Sequence, residues 1–121
     1  MTNITLNAKT YYGAGTRNAV AEWYDRSSGL AAGFSKADAS LRFSEGKWRG
    51  LGRITLPIMV GEDSACGCEG DLQSLSDAQF SFRIDPKALP ATRTDLRLRL
   101  IDFLQSAPAV AMFDDLQFPA G

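Results

Sequence analysis

Apolar and polar residues alternate with period two through most of this chain and shift to a helical spacing only near its end. From Lys36 onward, Ala37, Ala39, Leu41 and Phe43 fall on one side and Asp38, Ser40, Arg42 and Ser44 on the other. That pattern predicts a strand with one buried and one wet face. "SEGKW" supplies a tight turn, and in "WRGLGRITL" Arg49, Leu51, Arg53 and Thr55 oppose Gly50, Gly52, Ile54 and Leu56. Pro57 has no N–H for a ladder, so "PIMV" is expected as a separate short strand. From Ser74 the alternation resumes, with Ala78, Phe80, Phe82 and Ile84 inward and Asp77, Gln79, Ser81 and Arg83 outward. At the start, "NITLNAKTYY" alternates around Ile4, Leu6 and Ala8. Gly13-Ala14-Gly15 is expected as the turn before the strand "NAVAEWYDRSS".

The spacing changes at "TRTDLRLRLIDFLQSAPAVAMFDDLQF". Thr92 or Thr94 can cap a helix on which Leu96, Leu100, Phe103 and Leu104 share a face, with Arg97 inside the stripe and Leu98 off it. Ser106 and Pro108 end it and start a second, short helix. The fold class is therefore α+β: an N-terminal β-hairpin and an antiparallel sheet of six or seven strands, followed by two C-terminal helices. We expect a single domain over residues 1–121, with the hairpin at 1–16, the sheet at 17–85 including a loop at 61–73, and the helices at 92–118. Two short helices cover a wide sheet poorly, so the leftover apolar area predicts a partner, most simply a second copy related by a two-fold axis.

Composition narrows the chemistry. Thirteen Lys and Arg stand against fourteen Asp and Glu for a net charge of −1, so any cationic surface must be local. No stretch is long and apolar enough to span a membrane, and "MTNITLNAKT" lacks the basic and apolar regions of a secretory signal. The chain contains no histidine, which removes the usual general base, the Ser-His and Cys-His nucleophile pairs and the commonest metal ligand. We expect no enzyme and no cofactor.

The two cysteines stand one glycine apart in "DSACGCEGD", among Glu62, Asp63, Glu69 and Asp71. Two sulfurs without imidazole do not make a structural zinc site, and the residues after Asp63 do not follow the calcium-loop pattern. A bond between Cys66 and Cys68 would close a strained ring. No metal is expected, and two unpaired loop thiols without a role is the plain reading of these residues.

Placing strand 36–45 beside strand 47–56 brings Ser40, Arg42, Arg49 and Arg53 to one uncovered side. Several arginines with small hydroxyls on an open sheet face suit phosphate and base-edge contacts. An ordinary solvated sheet face is the competing reading. Trp23, Trp48 and Phe80 read as packing groups.

"DAQFSFRID" followed by "TRTDLRLRLIDFLQSAPAVAMFDDLQFPAG" resembles the last strand, two C-terminal helices and short tail of the coat proteins of small single-stranded RNA bacteriophages, the levivirus type. "AVAEWYDRSSGLAAGFSKADASLRF" is similar to the third and fourth strands of that family, and "WRGLGRITLPI" to its fifth with the following proline. The resemblance implies an interlocked homodimer with a continuous ten-stranded sheet and each subunit's helices across the other. It further implies assembly into an icosahedral shell in the bacterial host cytoplasm, localisation in the virion, and no membrane partner. The inner sheet face would bind genomic RNA, and a hairpin of that RNA for translational repression. The positions matching the family's RNA face are Val20, Asp38, Ser40, Arg42, Arg49, Leu51, Arg53, Leu75 and Asp77. Leu75 stands where relatives stack an aromatic ring, and Asp38 puts a carboxylate where a neutral group is usual. The loop at 61–73 corresponds to one that surrounds the shell's symmetry axes, so Cys66 and Cys68 are expected to form inter-subunit disulfides around a ring. The alternative function is a dimeric RNA-binding regulator that forms no shell.

Overall fold

The computed structural model describes residues 2–27, 33–59 and 72–119. Cys66, Cys68 and most of the loop at 61–73 lie outside the described residues. The chain divides into a sheet unit, Met1–Arg83, and a helical unit, Ile84–Gly121.

The sheet unit is a six-stranded antiparallel meander in chain order: β1 (Ile4–Leu6), β2 (Lys9–Arg17), β3 (Val20–Asp25), β4 (Ser35–Ser44), β5 (Lys47–Met59) and β6 (Leu72–Ile84). Its tight turns share one device. Asn7-Ala8, Asn18-Ala19 and Glu45-Gly46 all have positive φ at both central residues, between 48° and 77°. Such mirror-image turns match the right-handed twist of the strands they join. Gly13-Ala14-Gly15 is not the expected turn. It lies within β2 as a bulge where the pairing with β3 slips from Gly13↔Trp23 to Gly15↔Glu22. Gly15, at φ 102°, takes the backbone angle the bulge requires. Without a glycine to mark them, the two Asn-Ala turns were the harder signal to read.

A second expectation is corrected at Pro57, because β5 runs unbroken through it to Met59. The last registered pair between β4 and β5 is Lys36↔Thr55, so Pro57 lies past that ladder and its missing N–H costs no bond there.

The register sorts the side chains as the alternation implied. Ala37↔Ile54, Ala39↔Gly52, Leu41↔Gly50 and Phe43↔Trp48 share the apolar face, while Asp38↔Arg53, Ser40↔Leu51 and Arg42↔Arg49 share the polar one. Phe80 and Phe82 stack at 6.4 Å and 11° on the apolar face. A Cβ on Gly52 would run into the Phe80 ring, and one on Gly50 into the Phe82 ring. Those rings occupy the volume that side chains at 50 and 52 would need. Phe43 meets Trp48 edge to face at 5.3 Å.

One polar chain crosses three strands. Ser35 Oγ donates to the Thr55 carbonyl at 2.7 Å, so its single proton is committed and the Tyr11 hydroxyl, also 2.7 Å away, must be the donor to it. Tyr11 and Ser35 are buried. The N-terminal segment is fixed by Trp23 Nε1 donating to the Thr2 carbonyl and by Gly13 N–H donating to Asn3 Oδ1.

The helical unit comprises α1 (Pro90–Leu104) and α2 (Ala107–Asp114). Thr92 and Thr94 do not cap α1. Leu89 is the N-cap and Pro90, with φ already fixed, begins the helix two residues earlier than expected. The first helical bond runs from Arg93 N–H to the Leu89 carbonyl. Ser106 is the N-cap of α2, but its hydroxyl turns back to the Phe103 carbonyl. The second helix ends at Asp114, short of the expected 118, because Leu116 adopts φ 53° and Gln117 N–H returns to the Ala111 carbonyl.

Among the described residues, the only buried hydrophobic side chains are Tyr11, Ala37 and Ala109. Leu41, Phe43, Ile54, Leu56 and Phe80 on the sheet, and Leu96, Leu98, Phe103, Leu104 and Phe113 on the helices, are solvent-exposed in the single chain.

Candidate nucleic-acid interface

Cross-strand pairs place residues directly opposite on one face of a sheet, so the polar face can be assembled row by row. One row reads Tyr12, Tyr24, Lys36, Thr55, and the next Gly15, Glu22, Asp38, Arg53. Beyond these come Arg17 and Val20 on β2 and β3, then Ser40↔Leu51 and Arg42↔Arg49 on β4 and β5. Seven of the nine sequence-derived positions therefore share this face by register. Leu75 and Asp77 on β6 have the same parity as Ser81 and Arg83, which line the same concavity as Ser40, Arg42, Arg49 and Leu51.

The charges on this face fall into two groups. In the first, Asp38 is buried and accepts from Arg53 at 3.2 Å, with Lys36 at 3.9 Å, and Lys36 also pairs with Glu22 at 3.5 Å. Tyr24 donates its hydroxyl to Glu22 at 3.0 Å. That hydrogen bond chiefly, and the Lys36 ammonium after it, hold the Glu22 carboxyl below the ordinary glutamate range, with desolvation acting the other way. The result is a network in which each acid faces a cation.

The second group is cationic. Arg42 and Arg83 make no ion pair among the described residues. Among the described residues Arg49 pairs only with Glu45, at 3.0 Å, whose side chain is 80% exposed at the turn, and its Nε donates to the Ser44 carbonyl. With Ser40, Leu51 and Ser81 these arginines line an open concavity. Gly50 and Phe82 line it as well.

The sequence reading did not assign Ser81 and Arg83 to the site. Their outward parity was legible, but their position beside Arg42 and Arg49 depends on how β6 is set against β5. Among the described residues no group of three or more Cys, Asp or Glu side chains is placed to hold a metal ion. No helix is long and apolar enough to cross a membrane among those residues.

No protein-family model matches the chain, and no curated protein matches its sequence. Solved structures do match it over nearly its whole length. The virus-like particle of bacteriophage ESE058 aligns with a TM-score of 0.81 at 20% identity, covering 98% of this chain and 97% of that one. The virus-like particle of Beihai levi-like virus 21 gives 0.84 at 14% identity, over 100% and 98%. The capsid protein of bacteriophage GA gives 0.76 at 18% identity, over 93% and 88%. The chain has the fold of these capsid subunits, in agreement with the resemblance read from its sequence.

Proposed function

We propose that this chain is the coat subunit of a small single-stranded RNA bacteriophage, a structural and non-enzymatic protein. Two copies pair into a dimer with a continuous sheet, dimers close into an icosahedral shell in the host cytoplasm, and the polar sheet face lies against genomic RNA. The observation that carries this reading is full-length agreement in fold with proteins that form virus-like particles. The exposed apolar residues on sheet and helices support obligate pairing, since a lone chain would leave Leu41, Phe43, Ile54 and Phe103 in water. The arginine-lined concavity supports RNA contact through phosphates.

Electron microscopy of the purified protein, with assay of nuclease-protected RNA inside whatever particles form, tests the proposal. Closed particles containing RNA are expected. Folded dimers that bind RNA and never assemble would favour an RNA-binding regulator, and a stable folded monomer under non-assembling conditions would overturn the architecture. In the same reading Cys66 and Cys68 link neighbouring subunits around the shell's axes once particles leave the reducing cytoplasm. Oxidised particles should then give ring-sized bands on a non-reducing gel, and Cys66→Ser should abolish them without preventing assembly.

A further inference from the structure

We infer that Arg83 and Ser81 of β6 complete a cradle for a single phosphate group with Arg42, Arg49 and Ser40, so that the strongest anion contact of this face joins three strands. The inference rests on the reading of this face as the RNA surface, and adds to it two residues outside the nine assigned from sequence. Four observations meet at this point. Arg42 and Arg49 are cross-strand partners, so their side chains leave the same row of the same face. Arg83 lines the same concavity from β6. Among the described residues no carboxylate lines it, and the one acid paired to any of its arginines, Glu45, is itself largely in water. Two hydroxyls, Ser40 and Ser81, line it as well and can donate to oxygen acceptors.

Like charges gathered without counter-charges repel, and an anion bound among them relieves that repulsion. Guanidinium forks match the tetrahedral oxygens of a phosphate in a way that lysines do not. Leu51 and Phe82 are the large apolar side chains lining the concavity, and Leu51, opposite Ser40 on the polar face, can meet the ribose or base edge beside the phosphate. The shared ligand chemistry is the phosphate, whether a backbone phosphodiester of single-stranded RNA or free inorganic phosphate.

The test is titration of the unassembled full-length protein with a short oligouridylate over a range of salt, for wild type, Arg83→Gln and Arg83→Lys. Loss of one phosphate contact should make the slope of log K against log salt shallower by about 0.7 for Arg83→Gln, with Arg83→Lys between it and wild type. A measurement needing no variant accompanies it: arginine modification by phenylglyoxal, read by mass spectrometry, should be suppressed at Arg83 and Arg42 when RNA is bound. If wild type binds RNA while Arg83→Gln keeps the full slope and Arg83 is modified equally with and without RNA, the cradle is wrong and the wider reading of the face stands. If wild type binds no oligouridylate and its particles hold no RNA, the wider reading fails instead. Competition by inorganic phosphate against wild type, lost in Arg83→Gln, identifies the free anion as a ligand; with the slope change but no competition, the ligand is the phosphodiester.

Discussion

Both halves of the polar face carry arginines, and they differ in whether carboxylates stand beside them. Around β3 and the start of β4, Glu22, Lys36, Asp38 and Arg53 pair with one another, and Asp38 is buried in doing so. Toward the β4–β5 turn, Arg42 and Arg83 have no such partner among the described residues, and Arg49 has only the exposed Glu45. A cation whose charge is already met contributes rigidity. A cation left unmet contributes affinity for whatever anion arrives. Counting arginines on a face therefore overstates its binding surface unless the acids are placed as well.

Exchanging the roles of the halves is the strongest way to break this comparison. Asp38→Asn removes the buried acid that holds Arg53 and Lys36. Breaking a fully buried pair costs about 3 to 5 kcal/mol, but both cations are partly exposed, so a loss of roughly 1 to 3 kcal/mol is expected in urea unfolding of the unassembled protein. The same change frees Arg53, while Lys36 keeps Glu22, so RNA affinity should rise and its salt dependence steepen by about one contact. Weaker RNA binding by a folded Asp38→Asn would mean that the paired half contacts RNA through the carboxylate.

Arg42→Gln should do the reverse. Its side chain is exposed and without an ion pair among the described residues, so stability should move by less than about 0.5 kcal/mol while the salt slope falls by about 0.7. A large stability loss with unchanged RNA binding would assign Arg42 to the framework.

Acid separates the halves most gently. The Glu22 carboxyl is held below its ordinary value of 4.5, so its stabilising effect is fully present above that pH and is lost as pH falls through the lower folded-state value. The drop in urea midpoint between neutral and acidic pH should therefore be smaller in Glu22→Gln than in wild type. Equal drops would show that the Tyr24 and Lys36 contacts add nothing to folding.

Much of this arrangement was legible in the chain. A two-residue turn at Glu45-Gly46 between two alternating strands fixes their register, so the pairing of Arg42 with Arg49 and of Ser40 with Leu51 followed from the sequence. The pairing of Asp38 with Arg53 follows from the same register, yet its ionic consequence was missed because alternation says which face a residue is on and not which neighbour it reaches. Glycine marks a bulge as readily as a turn, so Gly13 to Gly15 does not tell the two apart, and the Asn-Ala turns go unmarked in the sequence because alanine rarely takes positive φ. The start of α1 was misplaced because its signal is the fixed φ of Pro90 and not a hydroxyl cap. Arg83 was left out because its neighbours lie on strands far away in sequence, beyond the reach of any local pattern.

The stacked rings above Gly50 and Gly52 also constrain the order in which this sheet can change over evolutionary time. A side chain larger than hydrogen at 50 or 52 meets an aromatic ring, so the viable path removes or redirects the ring first and fills the strand afterwards. Lineages that took the first step would no longer need the glycines, and those that kept the rings could not lose them. Among relatives as diverged as those with this fold, positions 50 and 82, and likewise 52 and 80, should vary as pairs: glycine with an aromatic, or a bulkier strand residue with a smaller one opposite.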